Sequence, residues 1–220
     1  MPQPFDQSTY QVRFEWGAAG LRRLAPADVV VVVDVLRFSS TVTDAVASGR
    51  TVALTDAVGW SRNGAAVAAA AAAGEATVLL GSLRNASAVA KTVLELQNRR
   101  QQRTSVAVIA AGELTDDGEL RFAVEDQLGA GTIIAALSDL GADHTSPEAA
   151  AVCESARGLR RAMRHLLTAS GSGKEIADGV AATARIEGAG LVPTGTAAAA
   201  EVDATDAVPV LSDGEFVAFV

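Results

Sequence analysis

A run of five valines ends at a pair of opposite charges. Residues 29–42 read VVVVVDVLRFSSTV, so Asp34 and Arg37 follow closely on a segment that is wholly apolar. Charged side chains are costly to bury unless they are paired or bind a ligand. Two interpretations are therefore open: a structural role, in which Asp34 caps the following helix or forms an ordinary ion pair with Arg37, or a binding site. In a site, the carboxylate suits Mg²⁺ and the guanidinium suits phosphate oxygens.

Polar side chains also follow two other apolar runs. GSLRNAS carries Asn85 and Ser87, and AAGE ends in Glu113. In open α/β sheets, ligands bind beyond the carboxyl ends of the strands, where helix N-termini offer unpaired N–H groups. We therefore expect these groups to converge with the first pair at one edge of a sheet. Asn85 could instead be only a helix N-cap, and Glu113 only a solvated loop acid.

The elements that must position these groups alternate along the chain. Short β-branched or aliphatic runs predict strands, and apolar residues at helical spacing predict helices. The predicted strands cover 29–35, 51–54, 77–80 and 105–110, with two more around the turn SDGE in 207–220. The predicted helices cover 40–49, 63–73, 86–100, 120–137, 147–167 and 170–180. In the first of these helices, Ser and Thr side chains are expected to act as caps.

This alternation predicts an α/β fold: a doubly wound, mostly parallel sheet flanked by helices, with an antiparallel C-terminal addition. A run such as 29–35, apolar throughout, is typical of a strand covered on both faces. We see no linker and no internal repeat. We expect one domain over 1–220, and a division into sub-lobes at about 1–140 and 141–220 is left open.

Composition limits the classes of function. A net charge of −8 over 220 residues argues against a nucleic-acid partner, since binding to phosphate backbones needs a basic surface. The single Cys153 excludes a disulfide framework and a multi-thiolate zinc site. No stretch resembles a membrane helix or a signal peptide, so we expect a cytoplasmic protein without a membrane partner. We expect a homo-oligomer only because many soluble proteins form one, since no residue pattern in this sequence indicates self-association.

Several blocks together resemble the 2-phosphosulfolactate phosphatase family. The blocks are DVVVVVDVLRFSSTV, VLLGSLRNASAVA, VIAAGE with VEDQLGAGTII, SGSGKEIADGV and DAVPVL, which occur in this order over nearly the whole chain. The resemblance implies an Mg²⁺-dependent acid phosphatase that hydrolyses 2-phospho-3-sulfolactate to sulfolactate and phosphate, a step of coenzyme M biosynthesis. It implies phosphatase chemistry on a small phosphorylated hydroxy acid more strongly than it implies that one substrate.

The resemblance, together with the positions at strand ends, gives a set of candidate residues. The DVLR block contributes Asp34 and Arg37, the NAS block Asn85 and Ser87, and the EDxLxAG block Glu125 and Asp126. The SRNGAA segment resembles the family's Asn-Gly turn. The expected roles are catalytic for Asp34, Arg37, Asn85 and Glu125, substrate-binding for Ser39, Ser40, Asn63, Gly64 and Ser87, and Mg²⁺-binding for Asp34, Glu113 and Asp126.

The chain departs from the family pattern in one place. The family usually carries Gly-Glu-Arg-Gly-Gly and Gly-Asn-Ser-Pro motifs ahead of the Asn-Gly turn, where this chain has only TDAVGWSR at 55–62. An alternative hypothesis follows, in which the protein is a non-catalytic relative that keeps the fold and an anion-binding pocket. Glu125 and Asp126 also have a second interpretation, as first-turn acids that interact with a helix dipole.

Overall fold

The computed structural model describes residues 3–115 and 117–220, and a seven-stranded sheet forms its centre. The strands are β1 (Val12–Trp16), β2 (Val29–Val33), β3 (Val52–Ala53), β4 (Thr77–Gly81), β5 (Val106–Ala110), β6 (Glu113–Leu114), β7 (Leu120–Arg121), β8 (Pro209–Ser212) and β9 (Glu215–Ala218). Their order in the large sheet is β1-β5-β2-β4-β8-β9-β3, and β6 and β7 form a separate hairpin.

Helices fill most of the segments between these strands. They are α1 (Gly17–Arg23), α2 (Phe38–Ala47), α3 (Leu54–Val58), α4 (Gly64–Ala72), α5 (Ala86–Arg100), α6 (Val124–Asp139), α7 (Pro147–Leu159), α8 (Met163–Ala169), α9 (Gly171–Asp178), α10 (Ala181–Gly188) and α11 (Thr196–Ala199). Two 3₁₀ turns cover Leu83–Asn85 and Arg160–Ala162.

The valine run forms the central parallel strand. β2 pairs in parallel with β4 on one side and with β5 on the other, and all five of its residues are buried. Alternate valines face opposite sides of a strand, so Val31 packs with one hydrophobic cluster and Val32 with the other. Pairing ends at Val33, two residues before the end of the predicted strand.

The edge strand β1 was missed by the sequence interpretation. It pairs in parallel with β5, and its sequence VRFEW alternates apolar and charged residues. Val12 and Phe14 pack in the core, whereas Arg13 donates hydrogen bonds to the backbone oxygens of Tyr10 and Ala25. Such alternation is itself typical of a half-buried strand, so the sequence carried a strand signal here that the interpretation did not use.

The antiparallel C-terminal addition is confirmed. β8 pairs with β4, β9 pairs with β8, and the short β3 closes the edge against β9. The loop of the β8–β9 hairpin is Asp213–Gly214, and both residues have positive φ, 51° and 83°. An Asp-Gly loop suits such a two-residue hairpin because both central positions of a type I′ turn need positive φ.

Helices cover both faces of the sheet. One hydrophobic cluster contains side chains of α5, α6, α7 and α8, and the other contains side chains of α2, α4 and α10. The predicted α/β class, with a mostly parallel sheet between two helical layers, is therefore confirmed. Among the residues described, no helix is both long and apolar enough to cross a membrane.

The start of α2 differs from the expectation. The helix begins at Phe38 with Arg37 at the N-cap, and the Arg37 side chain makes no cap hydrogen bond. Ser39 and Ser40 therefore lie inside the first turn, and Thr41 follows them. The predicted capping role of these hydroxyls is wrong, because the helix begins at Phe38, ahead of all three of them.

Candidate active site

Asp34 lies at the carboxyl edge of the sheet and joins two helices. It follows Val33, which pairs with Gly81 on one side and with Ala110 on the other. Its Oδ1 accepts a hydrogen bond from the backbone N–H of Phe38 (3.1 Å), and its Oδ2 accepts one from Gly64 (3.0 Å). These N–H groups belong to the first turns of α2 and α4, where a negative charge is favoured.

Gly64 is required by the close approach of α4 to Asp34. A Cβ at this position would lie 2.5 Å from Oδ2 of Asp34 and 2.5 Å from Cδ1 of Phe38. No such distance is tolerated between non-bonded heavy atoms. The Asn-Gly sequence therefore has a packing reason: only glycine lets the helix N-terminus reach the buried carboxylate.

A second buried carboxylate, Asp126, ties the neighbouring loops together. Its Oδ1 accepts a hydrogen bond from Val35 N–H (2.7 Å), and its Oδ2 accepts one from Gly112 N–H (2.9 Å). Gly112 has φ +67°, and a Cβ there would meet Leu120 at 2.8 Å. Asp126 therefore links the loops that follow β2 and β5 to the first turn of α6.

Burial dominates the electrostatics of these carboxylates. It raises the pKa of Asp34 from 3.8 to about 7, against the backbone hydrogen bonds and with a smaller contribution from the charges of Glu113 and Glu125. Burial also raises the pKa of Asp126 well above 3.8, and the charges of Asp34 and Glu125 add to the shift. The four acids therefore form one interacting group, which disfavours the state in which all are ionised.

A pocket of about 270 Å³ opens beside Asp34. One wall comes from the loop after β2 and from α2, with Asp34, Leu36, Arg37 and Phe38. Residues 60–63 and Glu113 form a second wall, and the face opposite consists of α9 and α10. A larger depression of about 450 Å³ lies elsewhere, around Gln97 and Leu140, and its lining includes no carboxylate. The chemistry therefore favours the smaller pocket.

Three arginines line this pocket. Arg37 is buried, and its Nη2 donates a hydrogen bond to Thr183 Oγ1 of α10. Burial lowers the pKa of Arg37, and the negative charge of Glu187 opposes that shift. Arg62 and Arg185 are exposed at the same pocket. Within the described part of the chain, none of the three forms an ion pair with an acidic side chain, so all can bind an anion.

Glu113 and Asn63 meet at the second wall. Nδ2 of Asn63 donates a hydrogen bond to Oε1 of Glu113 (3.1 Å). Oδ1 of Asn63 is buried and has no hydrogen-bond partner among the residues described, and the same holds for Nε1 of Trp60. A buried polar atom without a partner costs about 1–3 kcal/mol. Oδ1 of Asn63 is thus a free acceptor and Nε1 of Trp60 a free donor for a ligand or a water at this wall.

Several predicted site residues lie away from the pocket. Ser39 Oγ accepts a hydrogen bond from Asp34 N–H and donates to Val32 O, and Ser40 Oγ donates to Val35 O. Both serines are fully buried and hold the end of β2 against α2. The structure does not place them where a substrate could reach them.

Asn85 and Ser87 also serve the framework. The Asn85 amide is fully buried, accepts a hydrogen bond from Ser82 N–H and donates to the backbone oxygen of Ala207. Ser87 Oγ donates to Asp203 Oδ2 (2.6 Å) beside a different cavity. Both predicted roles at the pocket therefore disagree with the geometry, because these side chains connect the loop after β4 to the C-terminal segment.

The predicted metal ligands are brought together only in part. Asp34 and Glu113 line the pocket, whereas Asp126 does not. Asp34 and Asp126 each accept a backbone hydrogen bond at both oxygens, so the position at the pocket is what distinguishes Asp34. No group of three or more acidic, histidine or cysteine side chains in 3–115 and 117–220 is arranged to hold a metal ion. Mg²⁺ needs only one or two carboxylates besides water and phosphate oxygens. Asp34, Glu113 and the unpartnered Oδ1 of Asn63 fit that smaller set.

Glu125 lies in the first turn of α6 and is almost fully buried. It does not line the pocket, yet its charge acts on Asp34 and on Asp126. Among the residues described, its carboxylate has no side-chain or backbone hydrogen-bond partner. Unlike Asp34 and Asp126, Glu125 therefore lies near the site without a hydrogen bond that connects α6 to another element of the described chain.

The sequence interpretation missed the contribution of α10. Thr183 and Arg185 reach the site from about 150 residues after Asp34, and Trp60 and Arg62 stand in the segment where the family motifs are lacking. No local pattern marks Thr183 or Arg185. A useful signal was present in SRNG, where a cation directly precedes the Asn-Gly turn.

Comparison with family models gives one match, 2-phosphosulpholactate phosphatase, over residues 49–214. No curated protein matches the chain. The matched region begins just after α2 and includes Asn63, Gly64, Glu113, Glu125 and Asp126. It covers well over half of the 220 residues, and the block at 28–42 that contains Asp34 and Arg37 precedes it. On these grounds the chain belongs to the 2-phosphosulpholactate phosphatase family, a family of phosphatases.

Proposed function

We propose that this protein is an Mg²⁺-dependent phosphatase that hydrolyses a small phosphorylated hydroxy acid, similar to 2-phosphosulfolactate, to an alcohol and phosphate. One observation carries the proposal: a pocket at the carboxyl edge of the sheet is lined both by three arginines and by the carboxylates of Asp34 and Glu113. None of the three arginines has an acidic partner among the described residues. Membership of a phosphatase family supports the same reaction.

The arginines account for substrate binding. Arg37 is the buried one, and a guanidinium can hold two phosphate oxygens through parallel hydrogen bonds. Arg62 and Arg185 lie farther out, and they suit a second acidic group on the same substrate. A ligand with two anionic groups would therefore be favoured over a simple phosphate ester.

The carboxylates account for the metal. Asp34 and Glu113 would hold Mg²⁺, which when bound supplies a positive charge that stabilises the developing charge on phosphate. That charge would also lower the pKa of Asp34 toward its ordinary range, because a cation favours the ionised carboxylate. The buried cluster then becomes compatible with an anionic substrate beside it.

Hydrolysis needs proton transfer and limited access of water. Oxygen of a water molecule attacks phosphorus, the bond from phosphorus to the alcohol oxygen breaks, and that oxygen gains a proton. The group that takes the proton lost by the water must lie within hydrogen-bond reach of it. Glu175 of α9 is our candidate, because it lines the pocket and its carboxylate pairs with no other group among the described residues. The apolar residues Ile176 and Val180 of the opposite face restrict water in the pocket.

The test is phosphate release from p-nitrophenyl phosphate and from small phosphorylated hydroxy acids, including 2-phosphosulfolactate, with Mg²⁺ and with EDTA. We expect hydrolysis that requires Mg²⁺ and that is lost in Asp34→Asn. Asp143→Asn, a change at an exposed loop acid, is the matched control and should keep the activity. If none of these esters releases phosphate and calorimetry detects no Mg²⁺ binding, the alternative hypothesis of a non-catalytic relative would be favoured.

A further inference from the structure

We propose that Thr183 is a positioning residue, which holds the Arg37 guanidinium in the orientation that binds phosphate. The inference rests on the proposed function, because it concerns the anion-binding arginine of the same pocket. It adds a residue of α10 that neither the sequence blocks nor the family match singles out. Thr183 itself need not touch the substrate.

The contacts of Arg37 support this role. The hydrogen bond from its Nη2 to Thr183 Oγ1 is the one side-chain hydrogen bond that Arg37 makes within residues 3–115 and 117–220. The negative charge that acts on its guanidinium comes from Glu187, four residues after Thr183 and so on the same side of α10. The guanidinium is thus directed by one helix, although the arginine itself follows β2.

An arginine at this position needs such a partner. Its side chain is long, and holding it in one rotamer costs up to about 2 kcal/mol of conformational entropy. A carboxylate partner would fix it but would also compete with the phosphate for its charge. A neutral hydroxyl fixes one nitrogen and leaves the positive charge and the remaining donors for an anion.

The same bond ties α10 to the site. α9 and α10 together bury only Gly173 and Ile186 among their helical residues, so little apolar packing holds this segment down. Gly179, which lies between them, has φ +87° and has open space around its Cβ position. Loss of the Arg37 side chain should therefore loosen α10, and loss of the Thr183 hydroxyl should loosen Arg37.

Thr183→Val removes the hydroxyl and keeps the branched shape, whereas Thr183→Ser keeps the hydroxyl. We expect the valine variant to raise KM for the phosphate ester and Kd for inorganic phosphate about ten-fold, the order expected when a hydrogen bond to a charged group is lost. The serine variant should stay within about two-fold of the parent. Thr168→Val, at an exposed helical threonine whose hydroxyl bonds only its own helix, is the control and should change neither.

A double-mutant cycle separates positioning from a general structural effect. In an Arg37→Gln background, Thr183→Val should produce no further rise in Kd for phosphate, because its partner is already gone. Phosphate binding is read by calorimetry and by the fluorescence of Trp60, which lines the pocket, in a Trp16→Phe background; the chain has two tryptophans. Amide exchange over 181–188 should rise in both single variants.

The outcomes are distinct. An unchanged Kd in Thr183→Val, or a rise that persists in the Arg37→Gln background, would overturn the positioning role even if the protein is an active phosphatase. If the parent binds phosphate but cleaves no ester, the proposed enzyme function fails, and the phosphate affinities still decide the role of Thr183. A parent that does not bind phosphate at all would refute both proposals.

Discussion

Replacement of Asp34 by asparagine should remove a large pH dependence of stability. Burial raises the pKa of this carboxyl from 3.8 to about 7 in the folded protein. Between these values the folded protein holds a proton that the unfolded chain has already released. The contribution of Asp34 to stability is therefore fully present below about pH 4 and is lost as the pH rises through about 7.

The size of the effect follows from the shift. Roughly three pKa units, at about 1.4 kcal/mol per unit, correspond to about 4 kcal/mol of stability lost between acidic and mildly alkaline pH. Asparagine cannot ionise, so the variant lacks this loss. Its amide nitrogen also cannot accept the backbone hydrogen bond from Phe38 or from Gly64, which costs about 1–3 kcal/mol at every pH. Only the slope against pH therefore isolates the titration.

Urea unfolding followed by circular dichroism, from pH 4 to pH 9 in EDTA, measures this slope by linear extrapolation. The free energy of unfolding of the parent should fall by about 4 kcal/mol more than that of Asp34→Asn over this range. The Asp143→Asn control should follow the parent. Equal slopes in the parent and in Asp34→Asn would refute the raised pKa of Asp34, and with it the dominant effect of burial on this carboxylate.

Three further substitutions test the geometry of the site. Gly64→Ala should lose about 2–4 kcal/mol in urea unfolding, since its Cβ would lie 2.5 Å from Asp34 Oδ2; Gly74→Ala, with its nearest atom at 3.5 Å, should stay close to the parent. Asn85→Ala should lose about 2–4 kcal/mol of stability while KM of the folded enzyme stays unchanged. A large rise in KM would show instead that Asn85 contributes to substrate binding. Arg185→Gln should raise KM several-fold for substrates with a second acidic group and hardly at all for p-nitrophenyl phosphate, a difference that steady-state kinetics would reveal or exclude.

Local sequence patterns predicted the central strand of the sheet, the helices that cover it and the C-terminal hairpin. Five consecutive β-branched residues predict a strand buried on both faces, and this strand lies where the sheet is covered by two helical layers. The Asp-Gly turn predicted the C-terminal hairpin. β1 was missed although its apolar and charged residues alternate as in a half-buried strand. No local rule foresees that backbone oxygens compensate the charge of Arg13.

The site was predicted less completely than the fold. Asp34, Arg37 and Glu113 do line one pocket, because the carboxyl ends of parallel strands meet at one edge. Asn63 joins them from the start of α4. Asn85 is also a polar residue that closely follows a parallel strand, as Asp34 does, yet it does not line the pocket. Its amide turns inward to the segment near Ala207, which the sequence places more than 120 residues away.

The sequence by itself determined the layered α/β fold and the charged groups at the strand ends, since these depend on periodicity and on residues that are close along the chain. The need for glycine beside Asp34 came from the tertiary structure, because Gly64 and Asp34 are 30 residues apart. Only the tertiary structure decided which polar side chains face the pocket and which form hydrogen bonds that connect one element to another. It also brought Thr183 and Arg185 to Arg37. The physical reason is that a hydrogen bond is satisfied by whichever partner the packed chain places nearby, and that choice is made by long-range packing.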